Sequence, residues 1–317
     1  MPLFVIHVYH ESADYLVDLV RRRAPQRGVI GVSTPDALAE IVGEIEVLFA
    51  PTPPREGWAN AARLRLIQLL GVGADTLLPS PDLPAHIEVA GVRGVFAPDV
   101  AEHVLALMLA HVRRLPLLAE QQRVHQWEPA PRPTLAGQRL TIVGYGAVGQ
   151  HLARVARALG MQVRAVSRTG SQSNRDADIE VAAVSSLVDA VADAAFIVIA
   201  APLTPQTRGL FDDSLLDSLR ADAFLVNVAR GGIVDECALA RALSAGRLAG
   251  AAFDVFESEP LPADSPLWTV PRLVITPHIA GLGDRYIERC VDALLANVAA
   301  LEAGRPRQGV VDRDVGY

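Results

Sequence analysis

The sequence predicts an α/β protein of two doubly wound parallel-sheet domains, one inserted in the other. Three observations predict it. Apolar runs of strand length recur along all 317 residues, separated by stretches of helical spacing. Many of the runs are continuously apolar rather than alternating, as strands of a parallel sheet covered on both faces must be. The series pauses once, at a long helical stretch and a Pro-rich segment, and then begins again.

Taken in order, Leu3–Tyr9 (LFVIHVY), Glu46–Ala50 (EVLFA), Leu64–Gly71 (LRLIQLLG) and Ile87–Val92 (IEVAGV) read as the strands of a first sheet. A long helix is predicted from Pro98 to Trp127, because Pro98 and Asp99 suit a helix start and the apolar positions that follow keep helical spacing. The segment EPAPRPTLAG, residues 128–137, ends that pattern. Six further runs follow: LTIVG from Leu140, QVRAVS from Gln162, AAFIVIA from Ala194, AFLVNVA from Ala223, GAAFDV from Gly250 and LVITPH from Leu273. They predict a second doubly wound sheet. Asp284–Ala303 is helical again and is most simply a return to the first domain. The predicted boundaries are therefore 1–94 with 284–317 for one domain and 95–283 for the other.

Bulk properties narrow the function. Half the residues are hydrophobic, enough for a large core, and the net charge of −7 argues against nucleic acid or an anionic membrane as the main partner. The densest basic run, Arg21–Arg27, reads as a solvated helix end. Cys237 and Cys290 lie far apart and outside any C-x-x-C, so neither a disulfide scaffold nor a thiolate zinc site is expected, and no metal is predicted. No run is long enough to span a membrane and no leader pattern opens the chain, so a cytoplasmic protein is expected. There is no lysine, which removes Schiff-base chemistry and the lysine of an NTPase phosphate loop.

The motif TIVGYGAVGQ sets Gly144, Gly146 and Gly149, with Tyr145, Ala147 and Val148 between them, at a strand-to-helix turn. This is G-x-G-x-x-G in the context it requires. The first glycine permits the turn, the second lets a pyrophosphate approach the backbone, and the third lets helix pack on strand. The phosphates then meet the free N–H groups of the helix start. The next strand ends in Ser167, Arg168 and Thr169, where a site for NAD(H) would carry a carboxylate against the adenosine ribose. Two hydroxyls and a guanidinium suit a 2′-phosphate instead. The cofactor expected is NADP(H), with NAD(H) second; the other reading of Arg168 is a side chain over the adenine or in water.

A second constellation lies further on. The strand LVNVA runs into Arg230, Gly231 and Gly232, which suggests a cationic head facing a ligand, with glycines keeping the space beside it clear. Asp254, Glu257, Glu259 and His278 follow predicted strands at their C-terminal ends, where open α/β sheets place their ligand crevice. A histidine there can transfer a proton near neutral pH, and a carboxylate on its far nitrogen would fix its tautomer. Singly, each residue is equally well explained by structure; together with Arg230 and the dinucleotide loop they read as a site. His103, in the apolar helix, reads as a core or interface histidine and His125, beside Trp127, as a surface one; neither has metal-ligand spacing.

These motifs, in this order, resemble the D-2-hydroxyacid dehydrogenases. The likeness runs from VAEHVLALMLAHVR through GYGAVG, APLTPQT, NVARGGIVDE, FDVFESEPLP and SPLW to TPHIAG, and is looser before residue 90, chiefly at LLGVGAD. The resemblance implies a Rossmann cofactor domain inserted in a discontinuous, flavodoxin-like substrate domain, and hydride transfer between a nicotinamide cofactor and a small 2-keto or D-2-hydroxy acid. It implies that Arg230 binds the substrate carboxylate and 2-oxygen, that His278 is the acid/base, and that Glu259, not Glu257, hydrogen-bonds it. Asp254 would touch the nicotinamide carboxamide, and Val72 and Gly73 would hold the carboxylate from a loop. Pro202, Thr207, Val228 and Ala229 would line the cofactor. The family dimerises through the first helix of the cofactor domain, here beginning near Pro98, so a homodimer is implied. Glyoxylate and hydroxypyruvate are the expected substrates, because the lining segments LFAPT (residues 48–52) and GVGAD carry no second cation. Two departures stand out: GLGDRY replaces the threonine usual after PHIAG, and the ribose carboxylate is missing. The alternative is a non-catalytic, NAD(P)-sensing corepressor-like module of the same fold.

Overall fold

The structure is a computed structural model that describes residues 3–75, 77–170 and 179–313. The chain divides into two compact units, Met1–Val95 with Asp284–Tyr317, and Phe96–Gly283.

The first unit runs β1 (Ile6–Tyr9), α1 (Ala13–Arg23), β2 (Val29–Val32), α2 (Pro35–Ile41), β3 (Val47–Ala50), β4 (Leu66–Leu69) and β5 (Glu88–Ala90). The five strands are parallel and ordered β2-β1-β3-β4-β5, the flavodoxin-like doubly wound arrangement. β3 and β4 are buried at every position, which is why β3 reads as a continuous apolar run and β4 as one interrupted only by Gln68. β2 is an edge strand that the apolar pattern does not flag. Ile30 and Gly31 are exposed, and Gly31 is small because α1 packs there: a Cβ would lie 3.2 Å from that of Ala13. The basic run is only partly solvated. Arg23 pairs with Asp292, and Arg27, its side chain 7% exposed, makes two hydrogen bonds of 2.6 and 2.7 Å to Glu302, fastening the end of α1 to the returning C-terminal segment. Fork-to-fork pairing satisfies a guanidinium that would otherwise be costly to bury.

The second unit contains α3 (Ala97–Arg113), α4 (Leu115–Arg123), β6 (Arg139–Val143), α5 (Ala147–Ala158), β7 (Gln162–Ser167), β8 (Glu180–Ala183), α6 (Leu187–Val191), β9 (Phe196–Ile199), α7 (Asp213–Asp217), β10 (Phe224–Asn227), α8 (Glu236–Ser244), β11 (Gly250–Phe253) and β12 (Leu273–Ile275). The chain then returns to the first unit as α9 (Tyr286–Glu302). The seven strands are all parallel and ordered β12-β11-β10-β9-β6-β7-β8. Counted from β6 this is the Rossmann order extended by one strand, and the order reverses between β6 and β9, the place where such sheets bind ligands. β8 is the strand the pattern does not flag, since EVAA carries one β-branched residue. The long helix predicted over 98–127 is two helices. Arg114 takes a left-handed conformation (φ 54°), because Pro116 lacks an N–H and its ring would strike the carbonyl of Val112 in a continuous helix. Among the described residues, no helix is long and apolar enough to cross a membrane.

Candidate active site

Most of the chemistry-bearing residues of the second unit sit where its strands end. The glycine loop follows β6, and its three glycines do three different things. Gly144 has φ +107°, and a Cβ there would lie 2.5 Å from the backbone of Ala200 and Ala201 at the end of β9. A Cβ on Gly149 would lie 2.2 Å from the Gly144 carbonyl, so α5 can pack on β6 only with glycine at that position. Gly146 caps α5, and nothing lies within 4 Å of where its Cβ would be. Two glycines are therefore demanded by the protein's own packing, while the third faces open space at the positive end of a twelve-residue helix. This cradle fits a dinucleotide pyrophosphate.

Neighbouring strand ends complete the cradle. Ser167 ends β7, and its Oγ accepts from the Gly170 N–H at 3.1 Å, closing the turn on which Arg168 and Thr169 stand exposed. After β9, the Thr207 hydroxyl donates to the Pro202 carbonyl at 2.7 Å and accepts from the Thr204 N–H at 2.7 Å, which fixes the PLTPQT loop. Val228 and Ala229 follow β10, and the Val228 N–H bonds the Ile199 carbonyl at 3.3 Å.

The turn carrying Arg230 is tied by Asn227, a residue the sequence pattern does not flag. Asn227 is 1% exposed; its Oδ1 accepts from the Ala229 N–H (3.1 Å) and its Nδ2 donates to the Arg230 carbonyl (3.0 Å). The Arg230 guanidinium donates to the Ala229 carbonyl at 2.8 Å, which folds it back over the turn. Gly231 and Gly232 do not clear room for a ligand. A Cβ on Gly231 would lie 2.0 Å from the carbonyl carbon of Phe256, so the loop after β11 occupies that space, and Gly232 is needed for its φ of +75°. Gly231 thereby seats the loop bearing Glu259 directly on the turn bearing Arg230.

That loop is clamped by two carboxylates. The Glu259 Oε1 accepts from the Phe256 N–H at 2.8 Å, and the Glu236 Oε1, at the start of α8, accepts from the Glu257 N–H at 2.7 Å. Glu236 is half-buried. Burial, and then repulsion from Glu257, Glu259 and Asp235, holds its carboxyl above the usual carboxylate range, against the opposing effect of the Glu257 N–H. The second oxygen of Glu259 lies 2.6 Å from Nδ1 of His278. Glu257 points away and sits 3.6 Å from Arg208, both largely exposed.

His278 itself has φ +54°, a strained conformation for a non-glycine residue. Asp254 holds it there. The Asp254 carbonyl accepts from the His278 N–H (2.8 Å), while its carboxylate, 1% exposed, accepts from the Thr276 hydroxyl (2.6 Å) and the N–H groups of Ile279 (2.9 Å) and Ala280 (2.8 Å). Its oxygens are thus engaged with the loop of His278. His103 belongs to the same network rather than to the plain core. Its Nε2 lies 3.2 Å from the Thr276 hydroxyl, which already donates to Asp254, so the imidazole is the donor of that bond. The signal for His103, Asn227 and Glu236 was polarity at strand ends and on an apolar helix face; only the strand order identifies their partners. His125 is exposed, with φ +55°. Val72 and Gly73 lie in the first unit, in the loop after β4.

Comparison with known proteins places the chain. Residues 105–280 match the family model for the NAD binding domain of D-isomer specific 2-hydroxyacid dehydrogenases. The chain is 34% identical over 271 residues to the glyoxylate/hydroxypyruvate reductase A of Yersinia enterocolitica, covering 84% of this chain and 85% of that protein. A D-isomer specific 2-hydroxyacid dehydrogenase from Xanthobacter autotrophicus, solved with NADPH and MES, superposes with a TM-score of 0.88 at 30% identity over the whole of both chains. An NADPH-dependent glyoxylate/hydroxypyruvate reductase from Sinorhizobium meliloti, solved with NADP and sulfate, gives 0.88 at 27% identity, covering 99% of this chain and all of that one. The chain belongs to the D-isomer specific 2-hydroxyacid dehydrogenase family and is, with it, a nicotinamide-dependent oxidoreductase.

Proposed function

We propose that this protein reduces a small 2-keto acid, glyoxylate or hydroxypyruvate, to the 2-hydroxy acid, preferring NADP(H) to NAD(H). The observation that carries the reading is the Glu259–His278 pair at 2.6 Å, on a loop seated against the Arg230 turn. The cofactor, when bound, supplies the hydride. Gly144, Tyr145, Gly146, Ala147, Val148 and Gly149 hold its pyrophosphate, Pro202, Thr207, Val228 and Ala229 line it, and Ser167, Arg168 and Thr169 receive a 2′-phosphate. Arg230 presents a planar fork to the substrate carboxylate and the 2-oxygen, and stabilises the charge that develops on that oxygen. Glu259 accepts from Nδ1–H of His278, so the proton for the 2-oxygen resides on Nε2. Val72 and Gly73 offer N–H groups to the carboxylate. The relatives named for glyoxylate and hydroxypyruvate, and those solved with NADPH or NADP, support the substrate class and cofactor.

The same reading makes the protein a cytoplasmic homodimer. α4 has no buried residue, Leu115, Leu117 and Leu118 are exposed on it, and Trp127 beyond it is 92% exposed, an apolar face that a second copy would cover. Cys237 is a free, exposed thiol, as a reducing compartment permits. The test is a panel of 2-keto acids followed by loss of reduced-nicotinamide absorbance. The highest kcat/KM is expected for glyoxylate or hydroxypyruvate with NADPH; activity confined to phosphorylated or bulky aromatic acids, or a preference for NADH, would overturn the substrate or the cofactor assignment respectively. Sedimentation should give a dimer that Trp127→Ala with Leu118→Ala weakens.

A further inference from the structure

Within the first unit, one backbone carbonyl receives two side-chain donors, one buried and one half-buried. Leu70 is the residue after β4, and its carbonyl accepts from the Tyr286 hydroxyl at 2.9 Å and from the Cys290 thiol at 3.4 Å. Both donors stand on α9, four residues apart, so they share one face of the helix. The same face carries Asn297, which donates to the buried Gln68 side chain at 2.7 Å; Gln68 in turn donates to the carbonyls of Leu69 (3.1 Å) and Ala90 (3.0 Å). Burial pushes the Cys290 thiol up to about 12, and burial with the neighbouring Cys290 pushes the Tyr286 phenol above its usual range, so both remain protonated donors wherever the protein is folded and active.

The loop after Leu70 gives this anchor its meaning. The Gly71 carbonyl accepts from the Val92 N–H at 3.0 Å. The Val72 carbonyl is packed so closely on Gly91 that a Cβ there would lie 2.6 Å from it. In a trans peptide the N–H points opposite to the carbonyl. The Leu70 carbonyl, held from α9, and the Gly71 and Val72 carbonyls, held at Gly91 and Val92, thus each set the direction of the N–H in their own peptide, those of Gly71, Val72 and Gly73 respectively. Among the described residues no hydrogen bond is made by the N–H of Val72 or Gly73.

We propose that Tyr286 and Cys290 are positioning residues for the substrate carboxylate: by anchoring the Leu70 carbonyl they fix the start of the loop whose next two peptides present the Val72 and Gly73 N–H groups. This rests on the proposed function, in which that loop holds the carboxylate. Neither residue touches the substrate, and the effect of removing them is on substrate affinity rather than on the chemical step.

The experiment is steady-state kinetics with glyoxylate and NADPH on Tyr286→Phe, Cys290→Ala, the double variant, and Tyr286→Phe with Cys290→Ser. Because two donors share one acceptor, each single change should raise KM for glyoxylate about two- to threefold and the double about tenfold, with kcat and KM for NADPH within about twofold. Serine restores a donor, so the Phe/Ser variant should recover most of the loss of the Phe/Ala variant. Three results overturn the proposal: a double variant with the wild-type KM for glyoxylate; a KM rise that serine does not reverse; or KM for NADPH and the thermal midpoint moving together with KM for glyoxylate, which marks general loosening. If the double variant does not fold, Tyr286→Phe alone decides by the same KM-against-kcat split. If the wild-type protein reduces no 2-keto acid with either cofactor, the functional reading and this proposal fall together. Normal wild-type turnover with a flat KM series sinks the proposal alone.

Discussion

Alanine placed at each glycine of the Gly144–Gly149 loop should produce two distinct failures, because only one of the three glycines faces open space. A Cβ at position 149 meets the Gly144 carbonyl at 2.2 Å, and one at 144 meets the backbone of Ala200 at 2.5 Å from a residue already at φ +107°. Backbone cannot swing aside as a side chain tip can. Forced overpacking of this kind costs roughly 1–3 kcal/mol. In a domain this size that lowers Tm by about 2–12 °C. At 146 the added methyl touches nothing, and exchanging Gly for Ala at a helix cap costs about 1 kcal/mol or less. There the loss should fall on the cofactor instead, since the methyl stands in the space a pyrophosphate must enter; at least a tenfold rise in Kd for NADPH is expected, about 1.4 kcal/mol. Differential scanning fluorimetry and isothermal titration with NADPH read the two effects separately. Wild-type affinity in Gly146→Ala would show that the open space is not the pyrophosphate's. A Gly149→Ala protein as stable as wild type would refute the packing argument.

Three further outcomes are expected at the site. Asp254→Asn keeps one acceptor oxygen but sets an amide NH2 against a buried donor, either the Ala280 N–H or the pair on Oδ1, at roughly 1–3 kcal/mol. Tm should fall, and kcat should fall further than KM rises because the His278 loop loosens; unchanged kcat would remove Asp254 from that role. Arg168→Ala should lower kcat/KM for NADPH about tenfold, the lower end for an exposed charge-assisted bond, and leave NADH nearly untouched; equal loss with both cofactors would assign Arg168 to the adenine or the fold. For Glu236 the sign is set by its raised carboxyl: above the ordinary Glu range the folded state holds a proton more tightly than the unfolded one, so stability falls as pH rises through that window. Glu236→Gln keeps an acceptor for the Glu257 N–H without the charge. Its Tm should match or exceed wild type at pH 7 and converge with it near pH 4, and a variant weaker at pH 7 than near pH 4, relative to wild type, would contradict this.

Much of this was legible in the sequence because the strands that position the site are buried on both faces. β3, β4, β9, β10 and β11 are apolar at almost every position, and their C-terminal ends announce themselves by an abrupt change to glycine, proline or charge. β2 and β8 escape the pattern as edge strands, β2 holding a glycine where α1 packs. Arg114 escapes because one proline, two residues on, outweighs seventeen residues of good helical spacing. Gly231 shows a subtler limit: a glycine beside a cation reads the same whether a ligand or the chain's own backbone fills the space. His103 and Glu236 could be placed only through their partners Thr276 and Glu257, which lie in the loops after β12 and β11.

The most direct test of the central claim is His278→Gln, measured alongside wild type for NADPH binding and for turnover of glyoxylate and hydroxypyruvate. General acid–base catalysis contributes about 10²–10⁴-fold. The expected result is a Kd for NADPH within about twofold of wild type and a kcat lower by at least about a hundredfold for both acids. Near-normal turnover with intact cofactor binding would mean that the proton comes from elsewhere and that the Glu259–His278 pair is not the catalytic one.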